Sequence, residues 1–249
     1  MEAGLSDNWS FLMHTGDEAR GYGEYSQAEA HYKSALAEAQ QLGSPGKLAT
    51  TLGVIASLYE EIGNLEQVET LHRLALAMDE KANGPDHPSV SLRLNNLASY
   101  YKNQRRFDEA EPLYLRALAI DEKALGPDDP EVAMDLNNLG VLYRVQGQYE
   151  KAEPAYLRAL QIREKALGPE HKDTAMSVYN LAILYEVKGD MAGAEPLYLR
   201  AIATFEKALG PDHTNVATAL ENYADMLRKT GRTSEAEGLE ARAAGIRAR

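Results

Sequence analysis

Apolar residues recur along this chain on a helical rhythm, and the rhythm itself repeats. Leu136, Leu139, Gly140 and Tyr143 stand at i, i+3, i+4 and i+7, which is one face of an α-helix. The same stripe occurs as Leu52, Ile55, Ala56, Tyr59 and as Leu94, Leu97, Ala98, Tyr101. It returns as Val178, Leu181, Ala182, Tyr185 and as Leu220, Tyr223, Ala224, Leu227. Each predicts a first helix, called A. A second stripe (Ala152, Tyr156, Ala159, Leu160, Leu167) predicts a helix B from about Glu150 to Leu167. Gly147 lies between the two, where a helix C-cap is expected. Pro154 is expected in the first turn of helix B, where a missing N–H costs least. Gly168-Pro169 is expected to stop that helix, with the glycine in the left-handed conformation. Pro88 and Pro130 then suit the first position of the next helix A, behind His87 and Asp129.

The unit is 42 residues long. Gly-Pro-[Asp/Glu] at 84–86, 126–128, 168–170 and 210–212 keeps that step, as does Ala-Glu-Pro at 110–112, 152–154 and 194–196. The positions after the A–B turn (Tyr25, Leu65, Phe107, Tyr149, Met191, Thr233) mark six units, the first step being 40. A fixed period of this size implies a solenoid, in which each unit buries its apolar face against its neighbours. The predicted fold is therefore all-α, a right-handed α-solenoid of about six helix-turn-helix repeats. Its expected limits are 9–47, 48–88, 89–130, 131–172, 173–214 and 215–249, behind an N-terminal tail at 1–8. The first unit is degenerate, with a weak stripe (Leu12, Thr15, Gly16, Ala19) preceded by Trp9, as terminal repeats commonly are.

Composition narrows the function. The formal charge of the 249 residues is −12, a field that repels phosphate backbones and argues against nucleic-acid partners. There is no cysteine, so disulfides, thiolate catalysis and Cys-type zinc sites are excluded. No signal-peptide pattern and no membrane-length apolar run is present, which makes a cytoplasmic location without membrane contact the expectation.

Leu136, Leu139-Gly140, Tyr143, Gly147, Tyr149, Ala152, Tyr156 and Ala159 resemble the tetratricopeptide repeat pattern. A period of 42 alone could suggest HEAT or armadillo repeats, but neither carries this Gly/Ala/Tyr spacing. The usual tetratricopeptide period is 34. The lengthened unit, with Ala-Glu-Pro-Leu-Tyr-Leu-Arg-Ala-Leu at 110–118 and its Gly-Pro-Asp linker, resembles the kinesin-light-chain type. That resemblance implies a peptide-binding groove lined on its concave side by helix A.

Catalytic and metal motifs are not found. His87, His171 and His213 share one linker position, but they recur one helix pair apart. Packed helix axes are about 8–10 Å apart, whereas zinc needs its nitrogens at about 2.0–2.1 Å. A linker and cap role is expected instead. Glu69, Glu111, Glu153, Glu195 and Glu237 form a ladder, as do Arg116, Arg158, Arg200 and Arg242, read as solvated faces with some ion pairing. No cofactor and no enzymatic activity is expected.

Candidate binding residues lie on helix A. Asn96, Asn138, Asn180 and Asn222 hold one position, about 160–200° around the helix from the apolar stripe. Asparagine is a mediocre helix former, so a row of four asks for a reason. An amide offers both donor and acceptor and can grip a peptide backbone without reading its sequence. The resemblance places this row where the family's amides hold bound peptides. It also places Asn95 or Asn137, with Asn138 or Asn180, where chaperone-binding members carry a Lys/Arg carboxylate clamp, so that clamp is absent. Met134, Val141, Met176 and Ile183, with Leu92, Val145 and Val187, share the face as a candidate apolar strip. Tyr179 is the candidate aromatic anchor, and Lys102 and Arg144 are its central cations. The alternative for the asparagines is bonding to the neighbouring helix. The expected function is a module that binds a peptide segment of a partner protein in the groove. The alternative is a structural or self-assembling scaffold, consensus-like or engineered and without an evolved ligand, associating through its terminal repeats.

Overall fold

A computed structural model describes residues 8–248. The expected N-terminal tail falls outside the described residues except for Asn8, which opens the first helix. The chain divides into two compact units, Met1–Ala124 and Leu125–Arg249. The first holds α1 (Asn8–Gly21), α2 (Tyr25–Gln41), α3 (Pro45–Glu61), α4 (Val68–Asn83), α5 (Pro88–Asn103) and α6 (Phe107–Leu125), the last residue of which lies past the boundary. The second holds α7 (Pro130–Val145), α8 (Tyr149–Leu167), α9 (Lys172–Val187), α10 (Met191–Leu209), α11 (Thr214–Lys229) and α12 (Thr233–Arg247). Odd-numbered helices are the A helices of the sequence pattern and even-numbered ones the B helices. Among the described residues there is no strand.

In four of the hairpins the A-helix stripe packs on a B-helix tyrosine. Tyr32, Tyr114, Tyr156 and Tyr198 are essentially fully buried. Burying a large apolar side chain of this kind stabilises by about 1.5–3 kcal/mol. Gly140 admits one of these rings closely: a Cβ there would stand 2.5 Å from Tyr156 Cε1. In the second unit a continuous cluster runs from Ala175 and Val178 on α9 through Tyr198 and Phe205 on α10 to Leu220 and Tyr223 on α11 and Ile246 on α12. In the first unit Val90 and Leu94 of α5 pack with Ala117 and Ile120 of α6.

Two expectations about the turns need correction. Pro112, Pro154 and Pro196 stand inside α6, α8 and α10, five residues past the helix starts and beyond the first turn. The glycines before Pro85, Pro169 and Pro211 have positive φ but are not left-handed helical: Gly84, Gly168 and Gly210 have φ/ψ near 91/158°, 88/163° and 91/154°. The cause is the following proline, whose ring forces the preceding residue to extended ψ. Positive φ with extended ψ is open essentially to glycine alone. The A–B turns do use the left-handed cap: Gly147 has φ 75°, its N–H donates to Arg144 O, and the Gln148 N–H donates to Tyr143 O at 2.8 Å. Arg105 holds the same position in its repeat with φ 60° and lacks glycine's freedom.

The linker histidines are helix caps. His87, His171 and His213 each accept, through Nδ1, the N–H of the residue two positions on, at 3.1–3.2 Å. Asp129 does the same for Glu131 at 2.9 Å. These acceptors satisfy one of the open N–H groups at the start of α5, α9, α11 and α7.

Candidate functional site

The A helices of the second unit, α7, α9 and α11, lie side by side. The expected face is borne by half-exposed residues: Met134, Asn138, Val141 and Arg144 on α7, Met176, Asn180 and Ile183 on α9, and Asn222 on α11. Val145 and Val187 are exposed beside them. Met176 and Ile183 rest on the core cluster beneath while keeping part of their surface open. Two of the amides also reach sideways. Asn180 Nδ2 donates to Asn137 Oδ1 at 3.4 Å, and Asn222 Nδ2 donates to the Tyr179 hydroxyl. In the first unit the same position is Asn96, half-buried on α5, with Leu92 exposed and Lys102 half-buried along that helix.

Three of the candidates are placed differently from the rest. Asn95 and Asn137 are 6% exposed and Tyr179 is 9% exposed. Each precedes the outer amide by one residue, and in the second unit that 100° rotation turns Asn137 and Tyr179 toward the next hairpin. Asn137 Nδ2 donates to Ser177 Oγ at 3.1 Å, and Ser177 Oγ also accepts from Arg163 Nη1 at 3.0 Å. The Tyr179 ring meets Tyr198 and Phe205 edge-on, at 6.1 and 6.3 Å between centroids. Burial pushes its phenol pKa up, against the effect of the Asn222 bond. Asn137 and Tyr179 therefore serve the joint between hairpins. The corresponding residue in α3 is Gly53, where a Cβ would stand 2.9 Å from Arg93 Nη1.

Sequence reasoning missed this joint position. Residues 40 apart match in bulk across it: Gly53 faces Arg93, Asn137 meets Ser177, and Tyr179 shares its cluster with Ala219. That pairing was the available signal. Arg93 is itself held by a buried carboxylate, with Nε 2.9 Å from Asp79 Oδ2 and Nη2 3.1 Å from Thr50 Oγ1. Burial raises the Asp79 pKa, but bonds from Ser89, Arg93 and Asn83 outweigh it and leave the carboxyl below its ordinary value.

The acidic and basic ladders tie hairpins together rather than merely facing water. Glu69 accepts from Arg106 and from the Tyr101 hydroxyl, at 2.5 and 3.0 Å. Glu153 accepts from Lys188 and Tyr185, at 2.5 and 3.2 Å, and Glu195 from Arg232 and Tyr223, both at 2.7 Å. Lys188 holds the Glu153 carboxyl below its ordinary pKa. Arg116, Arg200 and Arg242 pair with Glu80, Glu164 and Glu206.

The last turn of helix A carries one more recurring contact, made with the residue twelve positions later. Glu60 meets His72, Glu186 meets Tyr198, and Arg228 meets Glu240. Both Glu186 oxygens are occupied, by the Tyr198 hydroxyl at 2.5 Å and Lys229 Nζ at 2.6 Å. Burial raises the Tyr156 pKa, and the matching partner twelve positions earlier, Arg144, works against it. The Arg144 Nε is enclosed without a hydrogen-bond partner among the described residues, as is the Tyr156 hydroxyl. No group of three or more His, Cys, Asp or Glu among the described residues could hold a metal ion, and no described helix is long and apolar enough to cross a membrane.

Stacked helix hairpins with functional candidates on the first helix of each define a helical-repeat scaffold. The tetratricopeptide repeat profile matches residues 20–81, 69–123, 89–165, 136–186 and 174–249, and the chain belongs to that family. Solved structures with the same fold include BtubC (BKLC) from P. vanneervenii, 24% identical, with a TM-score of 0.76 over 90% of this chain and 91% of that one. The kinesin-light-chain, nearly identical TPR-like repeats of Podosopora anserina are 24% identical, with a TM-score of 0.65 over 82% and 96%. A Rap protein in complex with Competence and Sporulation Factor is 17% identical, with a TM-score of 0.68 over 99% and 77%. At these identities the likeness establishes the fold, an all-α tetratricopeptide solenoid, and the neighbours include kinesin-light-chain-like repeat proteins. A comparison with curated proteins finds no match. The repeat fold supports a protein–protein interaction module.

Proposed function

We propose that the A-helix face of the second unit binds an extended, acid-containing peptide segment of a partner protein, without catalysis. The observation that carries this reading is Arg144. A half-buried guanidinium with an enclosed, unbonded Nε is costly unless something completes it. The acid one hairpin further on, Glu186, is already engaged by Lys229 and Tyr198. A carboxylate from outside supplies a charged acceptor, which the neighbouring Tyr156 hydroxyl is not. Around Arg144, Asn138, Asn180 and Asn222 present amides to a peptide backbone, and an amide can make more than one hydrogen bond. Met134, Val141, Met176 and Ile183 offer an adaptable apolar floor. On the first unit, Asn96 and Lys102 extend the same chemistry.

The sideways bonds of Asn180 and Asn222 favour a second reading, a scaffold whose amides serve only the stacking of A helices. Selection from a random peptide library separates the two. Under the first reading, enriched peptides carry Asp or Glu, and they lose about tenfold or more in affinity for Arg144→Glu and for Asn138→Ala with Asn180→Ala. Arg144→Glu should also fold well, because it recreates the Glu186–Tyr198 pair opposite Tyr156. Unchanged affinity in both variants, with helicity intact by circular dichroism, overturns the reading. Failure to enrich any peptide supports the scaffold.

A further inference from the structure

The first unit holds a small polar pocket of about 210 Å³, lined by Ser57 and Glu60 of α3, His72 of α4, and Asn96 and Ser99 of α5. Its volume falls below the roughly 300 Å³ at which small-molecule and cofactor sites begin, so it suits one side-chain head group. Its chemistry is one-sided. His72 is 2% exposed, and its Nε2 lies 2.8 Å from Glu60 Oε1. That contact holds the carboxylate in place and leaves its second oxygen open. The Glu60 side chain stays 26% exposed beside that contact. Ser57 spends its proton on Gly53 O at 3.1 Å and keeps its lone pairs for the pocket. The lining thus presents a carboxylate, hydroxyl oxygens and an amide, and it includes no lysine or arginine.

The other last-turn positions do not reproduce this. Lys102, Arg144 and Arg228 are basic, and Glu186 is closed off by Lys229. Glu60 is the acid of the series that remains open. We propose that this pocket receives the cationic head of an arginine side chain on a partner protein. A guanidinium offers five N–H donors in a planar fork, matched to a carboxylate flanked by further acceptors. The net charge of −12 draws a basic segment toward the surface. The site lies within the first unit and stands independently of the peptide surface proposed on the second.

The test uses the full chain and blocked tripeptides, Ac-Gly-Xaa-Gly-amide, with Xaa arginine, lysine, citrulline or glutamate, followed by NMR. The arginine peptide should shift the Asn96 side-chain amide and the His72 ring signals saturably, and the lysine peptide should do so more weakly. Citrulline, nearly isosteric and neutral, should bind about tenfold or more weakly. Glu60→Gln, which keeps shape and removes charge, should weaken the arginine peptide by the same factor. His72→Tyr, which copies the Tyr198–Glu186 pair, should retain binding because it still positions the carboxylate. Arg144→Glu should leave it unchanged. Equal binding of citrulline and arginine overturns the proposal. So does Glu60→Gln within about twofold of wild type, or shifts scattered evenly over the acidic surface.

Discussion

The Asp79–Arg93 pair gives the sharpest test of how the hairpins are joined. The side chains are 3% and 10% exposed, and Gly53 leaves the space that the guanidinium occupies. Removing one partner of a buried pair strands a charge, which costs about 3–5 kcal/mol. Arg93→Ala should therefore destabilise the first unit by about that much, and Asp79→Phe alone by a similar amount. This chain also contains the apolar solution at the matching positions. Phe205 stands where Asp79 does and Ala219 where Arg93 does, each 1% exposed. The double variant Asp79→Phe with Arg93→Ala should recover most of the loss, since replacing a buried pair by apolar groups is often neutral or stabilising. The single tryptophan, Trp9, donates to Thr51 Oγ1 at 2.8 Å and reports on this unit, so urea unfolding followed by its fluorescence gives all four corners of the cycle. The pH dependence adds a check. In the wild type the lowered Asp79 pKa contributes stability that is present above about 3.9 and lost as pH falls. In Arg93→Ala the carboxyl loses the Arg93 bond and charge, so its pKa moves up, less stability is lost as pH falls, and the gap to wild type narrows. Strictly additive losses in the double variant, or an Arg93→Ala cost below about 1 kcal/mol, would refute this account of the joint.

Other outcomes follow from the turns and the core. Arg105→Gly should stabilise by about 0.5–1 kcal/mol, measured by urea unfolding, because it relieves a left-handed non-glycine residue at some cost in unfolded-chain entropy. Gly168→Ala should cost about 1–3 kcal/mol, since its φ of 88° with ψ of 163° is closed to a residue with a Cβ; a cost under about 0.5 kcal/mol would contradict the proline-imposed geometry. Burial pushes the Tyr114 phenol up to about 12, against a weaker opposing bond from Ser99. Its neutral form is favoured in the fold, so this stability is complete below about pH 10 and is lost as pH rises toward 12, amounting to on the order of 1–3 kcal/mol. Tyr114→Phe should blunt alkaline unfolding, read as unfolding midpoints between about pH 9 and 11.

Much of the fold was legible because the signal repeats. The i, i+3, i+4, i+7 stripes, the Gly147 turn and the Pro88 and Pro130 helix starts all carry local physics, and the helices begin and end within a few residues of expectation. Pro154 falls just past the first turn because α8 starts at Tyr149, one residue before the expected Glu150. Gly168 was given the commoner glycine conformation because the constraint imposed by the next residue was not carried back onto it. The candidate face was legible only in part. Asn137 and Asn138 are the same residue type one position apart, and rotation about the helix sends one into a joint and the other to the surface. Local sequence gives that rotation but not where the next hairpin sits. Nor does it show that Glu186 is closed off and Glu60 open, which depends on Lys229 reaching back across a whole repeat.

The matched bulk at the joints also limits how the chain can be rearranged. Gly53 opposite Arg93, Asn137 with Ser177 and Tyr179 beside Ala219 are three different fittings. Cutting out one period after Asn137 would set that amide against Ala219 instead of Ser177, and reordering the periods can set a phenol ring against a guanidinium. Successive modules are thus addressed to one another, and their order is part of what the sequence encodes even though their outline is shared.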